Sequence, residues 1–73
     1  DMEDNFQRIA VYWNAHLGLI DFIKTEDVAA MMALLKIARI HSNPTHMDNW
    51  VDACGYMACG GEVVSNLTEK NND

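Results

Sequence analysis

Apolar and polar positions follow one another along this chain with a helical period. Phe6, Ile9, Ala10, Trp13 and Leu17 stand at offsets 0, 3, 4, 7 and 11, the spacing of one helix face. This predicts a first helix over 2–17. Glu3 and Asp4 open it, where the helix dipole favours negative charge, and Gly18 closes it as a C′ residue. Leu19 to Lys24 reads as a connection whose Leu19, Ile20, Phe22 and Ile23 plug into the core. A second helix is predicted over 25–41, with Thr25 as N-cap and Glu26 and Asp27 in its first turn. From Val28 to Ile40 only Lys36 and Arg39 are polar. Val28, Met32, Lys36 and Arg39 share one stripe, and the rest of the circumference is apolar. A helix apolar nearly all round is buried nearly all round.

The third helix is predicted over 44–68, starting at Pro44 or Thr45. Trp50, Cys54, Met57, Gly61 and Val64 form a heptad-like seam at offsets 0, 4, 7, 11 and 14, widened by Val51 and Ala58. Met31, Met32 and Met57 read as core by the same spacing. Each glycine costs a helix about 1 kcal/mol relative to alanine. The glycines at 55, 60 and 61 therefore signal close packing of a neighbouring backbone, or a break near Gly60-Gly61. No stretch alternates with period two for long enough to make a strand. The expectation is one all-α domain over 1–73, a bundle of three main helices, with a polar tail from Glu69 to Asp73 that frays.

Length changes this picture. A chain of 73 residues buries only about 60% of its unfolded surface. Two cysteines form at most one bridge. Stability is therefore expected from self-association into a dimer or tetramer. Val28, Met31, Leu34, Leu35 and Ile37, with Trp50 and Met57, are the expected core and interface, and Trp50 is expected to be largely buried. Five Lys and Arg against eleven Asp and Glu leave a net charge of −6. That argues against nucleic acid and anionic membranes as partners. No apolar run approaches the ~20 residues of a membrane span, and no segment reads as a secretion signal. Cytoplasmic residence with buried, inert thiols is the expectation. The chain opens on Asp1 before Met2, which reads as a leftover residue or a trimmed chain.

Candidate chemistry lies on the third helix. Asp48, Asp52, Gly55, Cys59 and Glu62 share a stripe at offsets 0, 4, 7, 11 and 14. Carboxylates at i and i+4 sit about 6 Å apart and repel unless they share a cation. Magnesium, held by one or two carboxylates plus phosphate oxygens, has the matching chemistry. The bland alternatives are an exposed acidic face and, for Asp48, a capping box if Thr45 is the N-cap. With Asn43 as cap and Pro44 at N1, Asp48 is free. Lys36 and Arg39 share a face and suit phosphates or that acidic stripe, unless they are a solvated edge. His16, His41 and His46 with Cys54 and Cys59 lack the spacing of a zinc site. Tyr12 and Trp13 point to different faces, so one of them meets solvent, a partner chain or a ligand.

Three pieces, N-F-x-x-I-A-x-x-W, D-V-A-x-M-M-x-L-L-K-I-A-R and W-V-D-x-x-G-Y, together resemble a family of small phage and prophage proteins of unassigned function. The resemblance runs from about Glu3 to Val64. Members of that family carry a further N-terminal stretch, which implies a trimmed chain here. The family is in turn distantly similar to the MazG-like all-α nucleotide pyrophosphohydrolases. That likeness implies an oligomeric helical bundle using clustered carboxylates and magnesium to split nucleoside triphosphates. Asp48 and Asp52, followed by Gly55-Tyr56, resemble the second acidic motif of those enzymes. Where the enzymes carry a Glu-Glu-x-x-Glu run, this chain has Lys36 and Arg39, so Glu26, Asp27 and Glu62, or Glu3 and Asp4, are the remaining candidate ligands. The expected function is a phage-type, MazG-like nucleotide-binding protein, with Asp48 and Asp52 on magnesium and Lys36 and Arg39 on phosphates, in the cytoplasm of the bacterial host. The alternative is a non-catalytic phage protein that binds and modulates a host protein.

Overall fold

The computed structural model describes residues 1–71. Three helices follow one another: α1 over Met2–Leu17, α2 over Thr25–Ser42 and α3 over Met47–Asn71. Each boundary has a local cause. Asp1 caps α1, its Oδ1 accepting from the Asp4 N–H at 2.8 Å. Gly18 ends α1 in the left-handed region (φ 71°) and donates to the Ala15 carbonyl at 3.2 Å, a geometry in which a Cβ is strained. The N-cap of α2 is Lys24 rather than Thr25, because the Asp27 carboxylate accepts from the Lys24 N–H at 2.9 Å and so ties the entry one residue earlier. α3 starts at Met47, not at Pro44 or Thr45. Residues 43–46 are spent on a turn in which His46 N–H donates to the Asn43 carbonyl at 3.3 Å. The helix is unbroken at Gly60-Gly61 and continues past the predicted end through Asn71. The last two residues of the polar tail lie outside the described part.

α2 and α3 pack side by side as an antiparallel hairpin, and α1 lies mainly against α2. A Cβ built on Gly60 would stand 3.1 Å from the Ala29 Cβ, so this glycine sets the helix separation. Gly55 and Gly61 face open space. The core is Phe6, Ala10, Ile23, Val28 and Ala29, with Met2, Ile9, Trp13, Met32, Tyr56 and Cys59 packed around it. The Phe6 and Tyr56 rings meet with centroids 6.2 Å apart.

The connection from α1 to α2 is held by a residue that the apolar pattern passes over. Asn14 is buried. Its Nδ2 donates to the Ile23 carbonyl at 2.9 Å, and its Oδ1 accepts from the N–H groups of Ile23 at 2.8 Å and Phe22 at 3.2 Å. Of the expected plugs only Ile23 is buried; Leu19, Ile20 and Phe22 are exposed, as is Leu17 on α1. The bonds from Asn14 fix the connection, so its other apolar side chains need not be inside.

The residues expected at the core and interface divide in the single chain, and Trp50, expected to be largely buried, is not. Val28 is fully buried, but Met31, Leu34, Leu35 and Ile37 on α2, and Trp50 and Met57 on α3, are exposed in the single chain. Small residues occupy the buried side of α2 instead: Ala29 and Ala33 are 1% exposed. The face of α3 that packs inward carries Asn49, Tyr56, Cys59, Gly60 and Val63, not the Trp50 seam. Trp50 is 48% exposed, and its indole N–H donates to the Pro44 carbonyl at 2.9 Å. Close approach at Gly60 selects the small face for the inside and leaves the large one outside.

Candidate functional site

The charged residues singled out above gather where the second half of α2 runs beside the first half of α3. Lys36 reaches across the hairpin, its Nζ 3.1 Å from the Asp52 Oδ2. The lysine side chain is 16% exposed and the aspartate 46%. Asp48, one turn earlier on α3, is open to solvent and stands 4.0 Å from the His46 Nε2. Asp48 is the second residue of α3, so the capping box with Thr45 does not form. Arg39, one turn beyond Lys36, is exposed and lines a groove of about 500 Å³ at the corner between α2 and α3, with Ser42, His46 and Asn49 among its other walls. The two cations of α2 therefore do different things, because a step of three residues turns the helix by about 300° and carries Arg39 toward the corner.

The additional acidic candidates are elsewhere. Asp27 serves the N-terminus of α2. Glu26 lines a groove of about 530 Å³ between α1 and the start of α2, near Glu3 and Asp21. Glu62 lies by Asp1, Glu3 and Asn66. In an antiparallel hairpin whose Gly60 meets Ala29, these groups stand beyond Asp52 by eight or more residues of α3, on the order of 12 Å of helix rise. Among the described residues no three His, Cys, Asp or Glu side chains converge to hold a metal. Of the two candidate carboxylates, Asp52 is paired with the Lys36 ammonium and Asp48 stands open to solvent beside His46. Cys54 is exposed and Cys59 half-buried against the core, which corrects the expectation of two buried thiols. Trp13 packs on the core, and Tyr12, 65% exposed, is the aromatic that faces outward.

The outer surface of the hairpin is its other conspicuous feature. Ala30, Met31, Leu34, Ile37 and Ala38 on α2, and Trp50, Val51, Cys54, Met57 and Val64 on α3, are all exposed. Within Val28–His41 the charged residues are Lys36 and Arg39, and within Asn49–Leu67 they are Asp52 and Glu62. All four lie outside the apolar arc. Each of the two long helices thus presents an exposed uncharged arc.

An all-helical chain with a charged hairpin end and an uncharged outer face is the class that fold and site define. The chain belongs to the family described as Domain of unknown function (DUF6378), whose profile matches residues 1–64. It is similar to the Gene 55 protein of Mycobacterium phage L5, 48% identical over 56 residues, 77% of this chain and 35% of that protein. It is also similar to the Gene 55 protein of Mycobacterium phage D29, 38% identical over 66 residues, 90% of this chain and 42% of that protein. The chain thus spans less than half the length of these phage relatives. No solved structure matches it. Among the described residues no helix is long and apolar enough to cross a membrane.

Proposed function

We propose that this chain is a self-assembling helical module of a phage protein, in which a second copy covers the outer face of α2 and α3. The uncharged arc on both helices carries the reading. Leu34 is 62% exposed, Met57 59% and Ile37 52%, and contiguous apolar patches of this kind mark association sites. Area supports a second copy as the occupant. The chain exposes 5408 Å², against roughly 4500 Å² for a compact monomer of its mass. The excess is close to the ~800 Å² that each partner contributes to a standard interface. Two hairpins joined face to face make a four-helix core with Leu34, Ile37, Trp50 and Met57 inside. Light scattering tests this directly. A particle of two or four chains is expected at micromolar concentration; a monomer of 8.2 kDa transfers the same face to a different protein and favours the host-binding reading.

The gathering of Asp48, Asp52, Lys36 and Arg39 at one end of the hairpin favours a second reading, a MazG-like nucleotide-binding protein. In this reading magnesium and a (d)NTP sit at that end, and the partner copy supplies the further carboxylates that one chain lacks. Manganese raising the melting temperature of the wild type but not of Asp52→Asn would support it. A flat response in the wild type removes it and leaves the assembly module.

A further inference from the structure

We infer that the corner between α2 and α3 binds a phosphate-class oxyanion, held by Arg39 together with Ser42, His46 and Asn49. The inference shares Arg39 with the nucleotide reading but needs no metal, so the two fail separately. Asn49 is its starting point. Only two polar residues are buried among the described residues, Asn14 and Asn49. Asn14 makes three side-chain hydrogen bonds. Asn49 is 4% exposed, yet its amide has no hydrogen-bond partner among the described residues. Buried amides are ordinarily paired. No polar side-chain atom is sealed from solvent without a partner, and Asn49 is among the residues that line the groove. An amide fixed in a packed helix, open on one side and unpaired, is a donor already in place for a ligand.

Three further features set the sign of that ligand. Arg39 lines the same groove and, unlike Lys36, has no carboxylate within ion-pair distance among the described residues. No acidic side chain lines the groove. The N-terminus of α3 adjoins it at His46 and Met47, and the first N–H groups of a helix carry partial positive charge and lack intrahelical partners. A guanidinium offers two parallel N–H donors to a phosphate, and Ser42 and Asn49 add neutral donors. The groove is open along one side, so a free phosphate and a phosphate carried on an organic group both reach it. Asp48, 4.0 Å from the His46 imidazole, is the competing anion at the rim.

The test is calorimetric titration of the whole chain in its native assembly with two probes, inorganic phosphate and ribose 5-phosphate, in the presence of a chelator. Both are expected to bind without metal. Arg39→Gln, an exposed position whose change leaves the fold intact by circular dichroism, should weaken each by about tenfold or more, the loss of a charge-assisted hydrogen bond. Asp48→Asn should strengthen both by removing the competing charge. Equal affinity for the two probes identifies free phosphate as the ligand, and tighter binding of ribose 5-phosphate identifies a phosphomonoester. Absence of heat with both probes at about 10 mM, or binding unchanged in Arg39→Gln, overturns the inference. So does binding that requires a divalent ion.

Discussion

The two faces of the α2–α3 hairpin differ in a way that runs against the usual order of residue sizes. The inner face carries Val28, Ala29, Ala33 and Val63, which are buried, with Tyr56, Cys59 and Gly60 half-buried beside them. The face away from α1 is exposed and carries Met31, Leu34, Ile37, Trp50 and Met57. Small residues inside let two helices close on each other until Gly60 meets Ala29. That closeness leaves no room for large side chains at the contact. The difference teaches that the chain packs as a tight, small-residue hairpin and leaves its large apolar side chains exposed in the single chain. Burial of a Leu- or Ile-sized side chain is worth about 1.5–3 kcal/mol each. Several such residues standing in water are a substantial stabilisation not used within the single chain.

The most direct way to break the comparison is to charge the outer face. Leu34→Asp or Ile37→Asp should abolish self-association and, because so small a core is marginal alone, lower the melting temperature with it. A buried unpaired carboxylate is too costly to keep. Light scattering and thermal melts of the two variants, with the exposed Lys36 neighbour Arg39→Asp as a charge control, check this. An unchanged particle mass in both variants would show that the outer face is a true solvent surface.

Inside, the largest expected loss is at Asn14. Asn14→Ala removes three hydrogen bonds and strands the buried N–H and carbonyl of Ile23. At about 1–3 kcal/mol for each group left unsatisfied, the variant should lose roughly 2–4 kcal/mol. It should also show faster amide exchange through residues 19–23, readable by urea melts and hydrogen exchange. Gly60→Val comes next. A Cβ there stands 3.1 Å from Ala29, and added methyls push the helices apart, at about 1–3 kcal/mol for overpacking. Gly61→Val, over open space, should not destabilise the single chain, so the pair of variants separates the two faces on adjacent residues.

How much of this was legible in the sequence follows from what each pattern measures. Three helices within a few residues of their observed bounds, and the Gly18 cap, are consequences of local periodicity and backbone sterics. Which apolar stripe turns inward is not local. α2 is apolar nearly all round, so its moment does not choose a face, and the heptad-like seam on α3 is the more regular of two candidate stripes. The small-residue stripe wins because close approach at Gly60 brings more atoms into contact than large side chains on a more distant pair of helices. Asn14 and Asn49 are invisible to apolar periodicity, which counts buried amides as polar surface. Of the roles open to Lys36 and Arg39 in the sequence, phosphates, the acidic stripe or a solvated edge, the structure pairs Lys36 with Asp52 of the acidic stripe. The different fate of Arg39 depends on where the α2–α3 corner falls, which the turn at 43–46 decides.

The smallest expected effect belongs to the ion pair that joins the two helices at the boundary between the faces. Asp52 is 46% exposed and Lys36 16%, so water screens one partner, and exposed pairs contribute about 0–1 kcal/mol. Asp52→Asn keeps the side-chain shape and still accepts a hydrogen bond from Lys36, so it should cost well under about 1 kcal/mol. Lys36→Met keeps the apolar stem and removes the charge. If the pair itself stabilises the hairpin, the double variant should cost less than the sum of the singles, by a coupling of about 0.2–1 kcal/mol that shrinks in high salt. A coupling of zero would mean that the stem of Lys36, not its ammonium, holds this end of the hairpin. A large loss in Asp52→Asn accompanied by loss of self-association would place the carboxylate in contact with a second copy, and would extend the assembly interface from the uncharged arc to the charged end.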